Sequence, residues 1–224
     1  MRTFKALGVL LTYPEDSLIE ALDEIGDAIA AEGLLKDKTL AALAPLYRHL
    51  RDTPLMTLQE EYVSLFDRSR TLSLHLYEHL HGESRDRGAA MARLAAIYRM
   101  RGFEIGVREL PDFLPLLCEF LSLIGEKASR ALLADAAAIL EGLRIRLEER
   151  ESPYATVLEA LVALAGGTFD EAQLRQILEA DSDDANDAEG LDAYWSEEPV
   201  TFGPESPGIA APAGPPAFMP RGGC

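Results

Sequence analysis

The sequence predicts an all-α protein: a single helical-bundle domain of about eight or nine helices at 1–180, then an acidic, proline-rich tail at 181–224. Apolar residues recur at helical spacing along nearly all of the first part. Only Leu72, Leu74 and Leu76 alternate as a strand would, and one such run cannot make a sheet. We therefore predict an extended connector at 67–77 between helices. The composition changes abruptly after residue 180.

The first half of the domain is predicted as a series of amphipathic helices with recognisable ends. The apolar run at the N-terminus is short and lacks a small-residue cleavage site, so we interpret it as the first helix and not as a secretion signal. The next helix begins near Pro14 and ends at Gly33, and Pro45 should kink or restart the one after it. Pro54 opens a further helix, and a later one closes at Gly102.

The second half contains the most apolar helix. Residues 112–124 carry two adjacent apolar stripes, which is typical of a helix at the centre of a core. One long helix is predicted over about 126–150, and the next ends at Gly166. Thr168 and Glu171 match a capping box, which predicts a last short helix to about residue 179.

The formal net charge of -17 limits the classes of partner. Nucleic-acid binders need a basic surface, and an acidic protein is not attracted to anionic lipid, so neither partner is expected. No stretch is long and apolar enough to span a bilayer, and we expect a soluble, cytoplasmic protein with no stable membrane association. The charge favours a partner that carries positive charge.

The two cysteines, Cys118 and Cys224, predict neither a disulfide framework nor a zinc site, because no CxxC spacing occurs. Cys118 lies in an apolar stretch and is predicted to be a buried thiol.

The tail differs in composition from the rest of the chain. Residues 181–224 hold nine acidic residues, one basic residue and seven of the thirteen prolines. Such a segment buries too little apolar surface to offset the entropy of ordering, so it is predicted to be disordered. An aromatic island at 194–202, which includes Trp195 and Phe202, is the exception. It is either a cluster that docks on the domain surface or a short recognition motif.

One motif suggests metal chemistry. His75, Glu78 and His79 fit the H-x-x-E-H pattern of zinc peptidases, and on a helix the two histidines would share one face. A zinc-dependent hydrolase is therefore an alternative function. The absence of a predicted sheet counts against it, and no P-loop, dinucleotide fingerprint or nucleophile elbow occurs. We expect no catalytic residue, no metal and no cofactor.

Six segments carry a resemblance to a known family. They are EYVSLFD at 61–67, LSLHLYEH at 72–79, HGESRDRG at 81–88, ELPDFLP at 109–115, EFL at 119–121 and WSEEPVTFG at 195–203. Together they resemble the NarJ-type assembly chaperones of respiratory nitrate reductase, also called the nitrate reductase delta subunit family. More distantly they resemble the TorD/DmsD chaperones of other molybdoenzymes. Those carry an E-P-D-H-type motif, whereas this chain has Phe113 in place of the histidine.

This resemblance implies an all-α chaperone without catalytic activity. It implies binding to the N-terminal amphipathic segment of the apo catalytic (alpha) subunit of nitrate reductase. It also implies assistance with the insertion of molybdenum cofactor and an iron–sulfur cluster before membrane attachment. Molybdenum cofactor biosynthesis proteins are implied as further partners. An assembly chaperone for a different molybdoenzyme and a generic helical adaptor are the alternatives.

We predict that a largely apolar groove between helices accepts the client's amphipathic helix, while acidic residues at its rim attract basic positions. Tyr62, Phe66 and Phe113 are alternatively plain core residues, and Asp112 is alternatively a helix cap. A histidine in the groove would make client affinity depend on pH. Trp195 and Phe202 of the tail are predicted to occupy the groove when no client is bound. The residues predicted to bind the client are Tyr62, Phe66, His75, Tyr77, Glu78, His79, Glu109, Pro111, Asp112 and Phe113.

Overall fold

The computed structural model describes residues 1–81, 85–106 and 109–179, and helices dominate this part of the chain. No strand occurs in those ranges, and their one isolated β-bridge is antiparallel and joins His75 to Phe113. The all-α prediction is confirmed.

Up to Ala165 the described residues form twelve α-helices, with a π-helix and a 3₁₀ turn between the sixth and the seventh. The α-helices are α1 Arg2–Val9, α2 Asp16–Glu20, α3 Leu22–Glu32, α4 Asp37–Ala42, α5 Ala44–Asp52, α6 Leu55–Tyr62, α7 Glu78–His81, α8 Arg85–Met100, α9 Leu114–Leu123, α10 Glu126–Asp135, α11 Ala137–Glu149 and α12 Ala155–Ala165. The π-helix is Val63–Asp67, the 3₁₀ turn is Arg70–Leu72, and residues 171–179 are also helical.

The structure has more helices than the eight or nine predicted because three predicted helices are divided and α7 was not predicted. The breaks fall at Ala21, Leu43 and Ala136. Pro45 lies in the first turn of α5, which confirms the prediction that the helix restarts at this proline. By contrast, the prediction of one helix over 126–150 is wrong, because this segment forms two helices, α10 and α11. Alanine has the highest helix propensity, so no local signal marks the break at Ala136.

Most predicted helix ends are confirmed. Gly33 and Gly166 have φ values of 64° and 107°, a left-handed conformation that glycine adopts without steric cost. The capping box predicted for the last helix is wrong. Asp170 Oδ1, not the Thr168 hydroxyl, accepts the Ala172 N–H at 2.9 Å, and this is the usual geometry of an Asp N-cap.

The centre of the core is the packing of α1 along α9. Leu114, Leu117 and Leu121 of α9 are buried, which confirms the central position predicted for this helix. Gly8 of α1 allows the close approach, because a Cβ atom there would lie 2.6 Å from Cys118 Cβ. Burial raises the pKa of the Cys118 thiol to about 12, so it is an inert core residue as predicted.

A second helical pair, α11 against α12, completes the core, and α12 also contacts α10, α4 and α1. No helix among the described residues has both the length and the apolarity to cross a bilayer. The predicted tail, with Trp195 and Phe202, lies outside the described residues, so its predicted boundary and contacts stay predictions.

Candidate functional site

Two irregular segments meet at the start of α9. The Leu76 N–H donates to the Asp112 carbonyl oxygen at 3.1 Å, and the Leu114 N–H donates to the Leu74 carbonyl oxygen at 2.9 Å. We call residues 73–79 and 109–114 together the crossing. The predicted connector at 67–77 is therefore only partly extended: the 3₁₀ turn interrupts it before its last residues pair with the second segment.

Asp112 is the buried centre of the crossing. Its carboxylate has no exposed surface, and Oδ2 accepts the Tyr77 backbone N–H at 3.0 Å. Oδ1 lies 3.6 Å from His75 Nδ1. Burial raises the pKa of Asp112, but His75 and the Tyr77 N–H outweigh that effect and hold the pKa below its usual range. Asp112 thus links two segments that are distant in sequence.

The alternative role predicted for Asp112, a helix cap, is wrong. The N-cap position of α9 is Phe113, and no side chain caps that end. The carboxylate is turned towards the other segment of the crossing instead.

His75 lies at the edge of this centre, with about a quarter of its side chain exposed (28%). Its ring packs against Phe113, with 5.3 Å between the ring centroids. The interaction with Asp112 raises the pKa of His75, and Glu78 adds to it, while burial and Arg87 act in the opposite direction. The protonated imidazole is therefore favoured relative to a free histidine.

Glu78 and His79 are both held by neighbours. Glu78 Oε1 accepts a hydrogen bond from Arg87 Nη2 at 2.8 Å. Burial raises the pKa of Glu78, but hydrogen bonds from Ser73 and Arg87 outweigh it and the pKa is lowered. His79 is buried, and its Nε2 donates to the Ser73 carbonyl oxygen at 2.8 Å.

The geometry on which the zinc alternative depends is absent. His75 is the bridge residue ahead of α7 and not part of a helix, so His75 and His79 do not share a helical face. Across 1–81, 85–106 and 109–179, no three His, Cys, Asp or Glu side chains are grouped as a metal site.

The outer side of the crossing combines apolar and acidic residues. Tyr77, Pro111 and Phe113 are half-buried, whereas Glu109 and Leu110 are exposed. The Tyr98 hydroxyl donates to the Pro111 carbonyl oxygen at 2.9 Å and so fixes this turn to α8. Sequence reasoning missed Tyr98, Ser73 and Arg87, because their hydrogen-bond partners lie in other segments.

Tyr62 and Phe66 belong to an aromatic cluster with buried Tyr154 and exposed Tyr13. The Tyr62 ring centroid is 4.9 Å from that of Phe66, and the Phe66 centroid is 5.3 Å from that of Tyr154. The Tyr62 hydroxyl donates to the Leu11 carbonyl oxygen at 2.9 Å. Both rings are core residues in this structure, and their direct part in a client site stays a prediction.

Comparisons with known proteins give consistent results. Residues 32–160 match the family model described as nitrate reductase delta subunit. The chain is 41% identical over 195 residues to the nitrate reductase molybdenum cofactor assembly chaperone NarJ of Escherichia coli K12, which covers 86% of this chain and 81% of that protein. It is 39% identical over 203 residues to the probable chaperone NarW of that organism, covering 90% and 84% of the two chains.

A more distant relative and a solved structure extend the comparison. The probable chaperone NarJ of Bacillus subtilis is 32% identical over 169 residues, covering 72% of this chain and 86% of that protein. A crystal structure from Archaeoglobus fulgidus, described as a redox enzyme maturation protein, has a TM-score of 0.54 and 23% identity. It covers 74% of this chain and 94% of the other, and at that identity it shows a shared fold alone.

Proposed function

This chain belongs to the nitrate reductase delta subunit family, and we propose that it is a system-specific chaperone for respiratory nitrate reductase. In this proposal it binds the N-terminal segment of the apo catalytic subunit. It thereby assists the insertion of molybdenum cofactor and an iron–sulfur cluster before the enzyme attaches to the membrane. The protein works in the cytoplasm, binds its client and catalyses no reaction itself, and molybdenum cofactor biosynthesis proteins are its further partners.

The observation that carries the proposal is the mixed surface of the crossing. Half-buried Tyr77 and Phe113 offer anchors for the apolar face of an amphipathic helix. Glu78 and Glu109 lie beside them and attract basic positions of the client, which speeds encounter more than it adds affinity. A partly apolar, partly acidic surface is suited to a basic amphipathic segment.

The predicted site residues divide into two groups in this proposal. His75, Tyr77, Glu78, Pro111 and Phe113 keep some exposed surface and, with exposed Glu109 and Leu110, contact the client. Asp112 and His79 are buried and hold those residues in place, and Tyr62 and Phe66 support the site from the core.

The expected affinity follows from the size of such a contact. Apolar burial contributes about 25 cal/mol per Å², and ordering of the client segment removes much of that gain. A few anchors therefore give dissociation constants of about micromolar to nanomolar. That range allows the client to be released after maturation.

Two measurements test the proposal. Calorimetry should show saturable binding of a synthetic peptide from the N-terminus of the same organism's catalytic nitrate reductase subunit, and a scrambled peptide should not bind. Cells that lack the chaperone should accumulate nitrate reductase depleted of molybdenum. Full molybdenum content in those cells, or equal binding of the scrambled peptide, would contradict the proposal. Co-purification of another molybdoenzyme in place of nitrate reductase would support the alternative client.

We also propose that Trp195 and Phe202 of the tail compete with the client for this site. A chain that ends at residue 180 should then bind the client peptide several-fold more tightly than the full chain. Double substitution of Trp195 and Phe202 by Ala in the full chain should have the same effect. Weaker or unchanged binding in both variants would refute the competition.

A further inference from the structure

A recess of about 390 Å³ opens beside the aromatic cluster, at a distance in sequence from the crossing. It lies between α6 with the π-helix on one side and the turn from α11 to α12 on the other. We call it the Tyr154 pocket. Its lining residues are His49, Glu61, Ser64, Leu65, Arg150, Glu151, Ser152, Pro153 and Tyr154.

Two of the lining residues, Ser152 and Tyr154, have buried hydroxyl groups without a hydrogen-bond partner among the described residues. Tyr154 is 1% exposed, so its hydroxyl is removed from bulk water. A buried polar group without a partner costs free energy, and native proteins rarely leave such groups unpaired. These hydroxyls therefore indicate a ligand that hydrogen-bonds to them.

Glu61, which lines the pocket together with Tyr154, provides a carboxylate. Besides burial, the effect that raises the pKa of Tyr154 is the charge of Glu61. Glu61 Oε2 lies 2.7 Å from His49 Nε2. Arg150 also lines the pocket, and its Nη2 donates to Ser69 Oγ at 3.3 Å. The inner end of the pocket thus offers acceptor oxygens.

The backbone on both sides of the pocket is unusual. Glu151 has a φ of 53°, the left-handed conformation that glycine normally occupies at a helix end. Its N–H donates to the Glu148 carbonyl oxygen at 2.8 Å, so the conformation is fixed by the end of α11. Opposite it, Ser64 and Leu65 belong to the π-helix, and π-helical turns are frequent at functional sites. The exposed residue Glu151 therefore adds a second acidic residue to the lining of the pocket.

We propose that the Tyr154 pocket binds an arginine side chain of the client segment. A guanidinium group has five N–H donors in a planar fork, and the Glu61 carboxylate with the Ser152 and Tyr154 hydroxyls supplies matching acceptors. Pro153 and Leu65 pack against the aliphatic part of the side chain. This inference rests on the proposed function for the source of the arginine, whereas the guanidinium chemistry of the pocket does not depend on it.

The test uses the full chain and a small probe, N-acetyl-arginine methylamide, with its citrulline analogue as the uncharged match. In amide NMR spectra the arginine probe should shift the signals of Ser64, Glu151 and Ser152 saturably, and the citrulline probe should not. Tyr154→Phe should weaken binding of the arginine probe about tenfold, the range for a hydrogen bond to a charged group. It keeps the packed ring, so its melting temperature should not fall.

A matched control is Tyr47→Phe, because the Tyr47 hydroxyl is also without a partner among the described residues and lines a different cleft. It should leave probe binding unchanged. Equal shifts with both probes, or equal loss in both tyrosine variants, would overturn the inference.

The client peptide separates the two proposals. If the wild-type chain binds the arginine probe in the pocket but not the client peptide, the proposed function fails and the pocket stands. If the client peptide binds wild type and Tyr154→Phe equally and the probe shifts nothing, the pocket inference fails and the proposed function stands.

Discussion

Helix α9 takes part in two contacts that are stabilised by different kinds of interaction. Along its length, α9 packs on α1 through apolar side chains and the close approach of Gly8 to Cys118. At its first residue it joins the crossing, where Asp112 holds Tyr77 and His75 through a hydrogen bond and a charge pair. The α1–α9 interface is specified by shape and the crossing by charge. We infer that the first provides a rigid base and the second the surface for the client.

The largest effect is expected from added volume in the α1–α9 interface. Gly8→Ala places a Cβ atom 2.6 Å from Cys118 Cβ and 3.1 Å from the Pro115 carbonyl oxygen. Overpacking against another helix should lower the free energy of unfolding by about 3 kcal/mol. The control is Gly88→Ala in α8, where no atom lies within 4 Å and the change should stabilise by up to about 1 kcal/mol.

Urea denaturation of both glycine variants measures this difference. Equal stability of the two variants would mean that shape does not limit the α1–α9 interface.

The next largest effect is expected from removal of the buried carboxylate. Asp112→Ala leaves the Tyr77 N–H without its acceptor and His75 without its charge partner. The free energy of unfolding should fall by about 2 kcal/mol. Client-peptide binding should fall further than the unfolded fraction explains, because the segments of the crossing separate. A variant with wild-type peptide affinity would show that Asp112 does not position the site.

Charge reversal at the acidic residues of the crossing should distinguish a residue that only contacts the client from one that also stabilises the fold. Glu109→Lys changes an exposed residue and should weaken binding of a basic client peptide several-fold without a change in melting temperature. Glu78→Lys should weaken binding too, but it also places a cation beside the half-buried Arg87 and should destabilise the fold by about 1 kcal/mol. Calorimetry with thermal denaturation separates the two effects. Unchanged affinity in Glu109→Lys would remove that residue from the site.

The smallest effect is expected from pH. The folded pKa of His75 is raised, so its contribution to stability is complete below the ordinary histidine value of about 6.5 and is lost as pH rises through the folded pKa. The pKa of Asp112 is lowered, so its contribution is present above the ordinary value of about 3.9 and is lost only as pH falls through the folded pKa.

Between about pH 6 and pH 8 the wild-type chain should therefore lose less than about 1 kcal/mol of stability, and His75→Gln should remove this slope. Gly8→Ala should keep the slope although it is less stable, because its defect lies in the apolar interface. Urea denaturation at the two pH values checks this, and a wild-type slope retained in His75→Gln would assign the effect to another group.

Local periodicity was sufficient to predict the all-α class and the central helix, but not every helix boundary. The apolar stripes of α9 and the glycines at helix ends are features of neighbouring residues, so the sequence contains them in full. The break at Ala136 is not predictable in this way, since alanine favours a continuous helix. Asp112 illustrates the same limit: ahead of a helix an aspartate predicts a cap, and its partner Tyr77 is 35 residues away.

The candidate site was predictable only in part for a related reason. A segment that lines a groove and a segment that lies in the core share the same apolar pattern. Tyr62 and Phe66 therefore could not be distinguished from Phe113 by sequence, although the structure buries the first two and leaves Phe113 partly exposed. Hydrogen bonds between distant segments, such as Tyr98 to Pro111, have no local signature.

The most direct test of the client site compares two exposed leucines near opposite ends of α9. Leu110 lies in the crossing, and Leu123 is the last residue of α9, a helix about 15 Å long. A photo-crosslinking amino acid placed at each position in turn should capture the client's N-terminal peptide from position 110 and not from position 123. Capture from position 123 alone, or equally from both positions, would contradict the account.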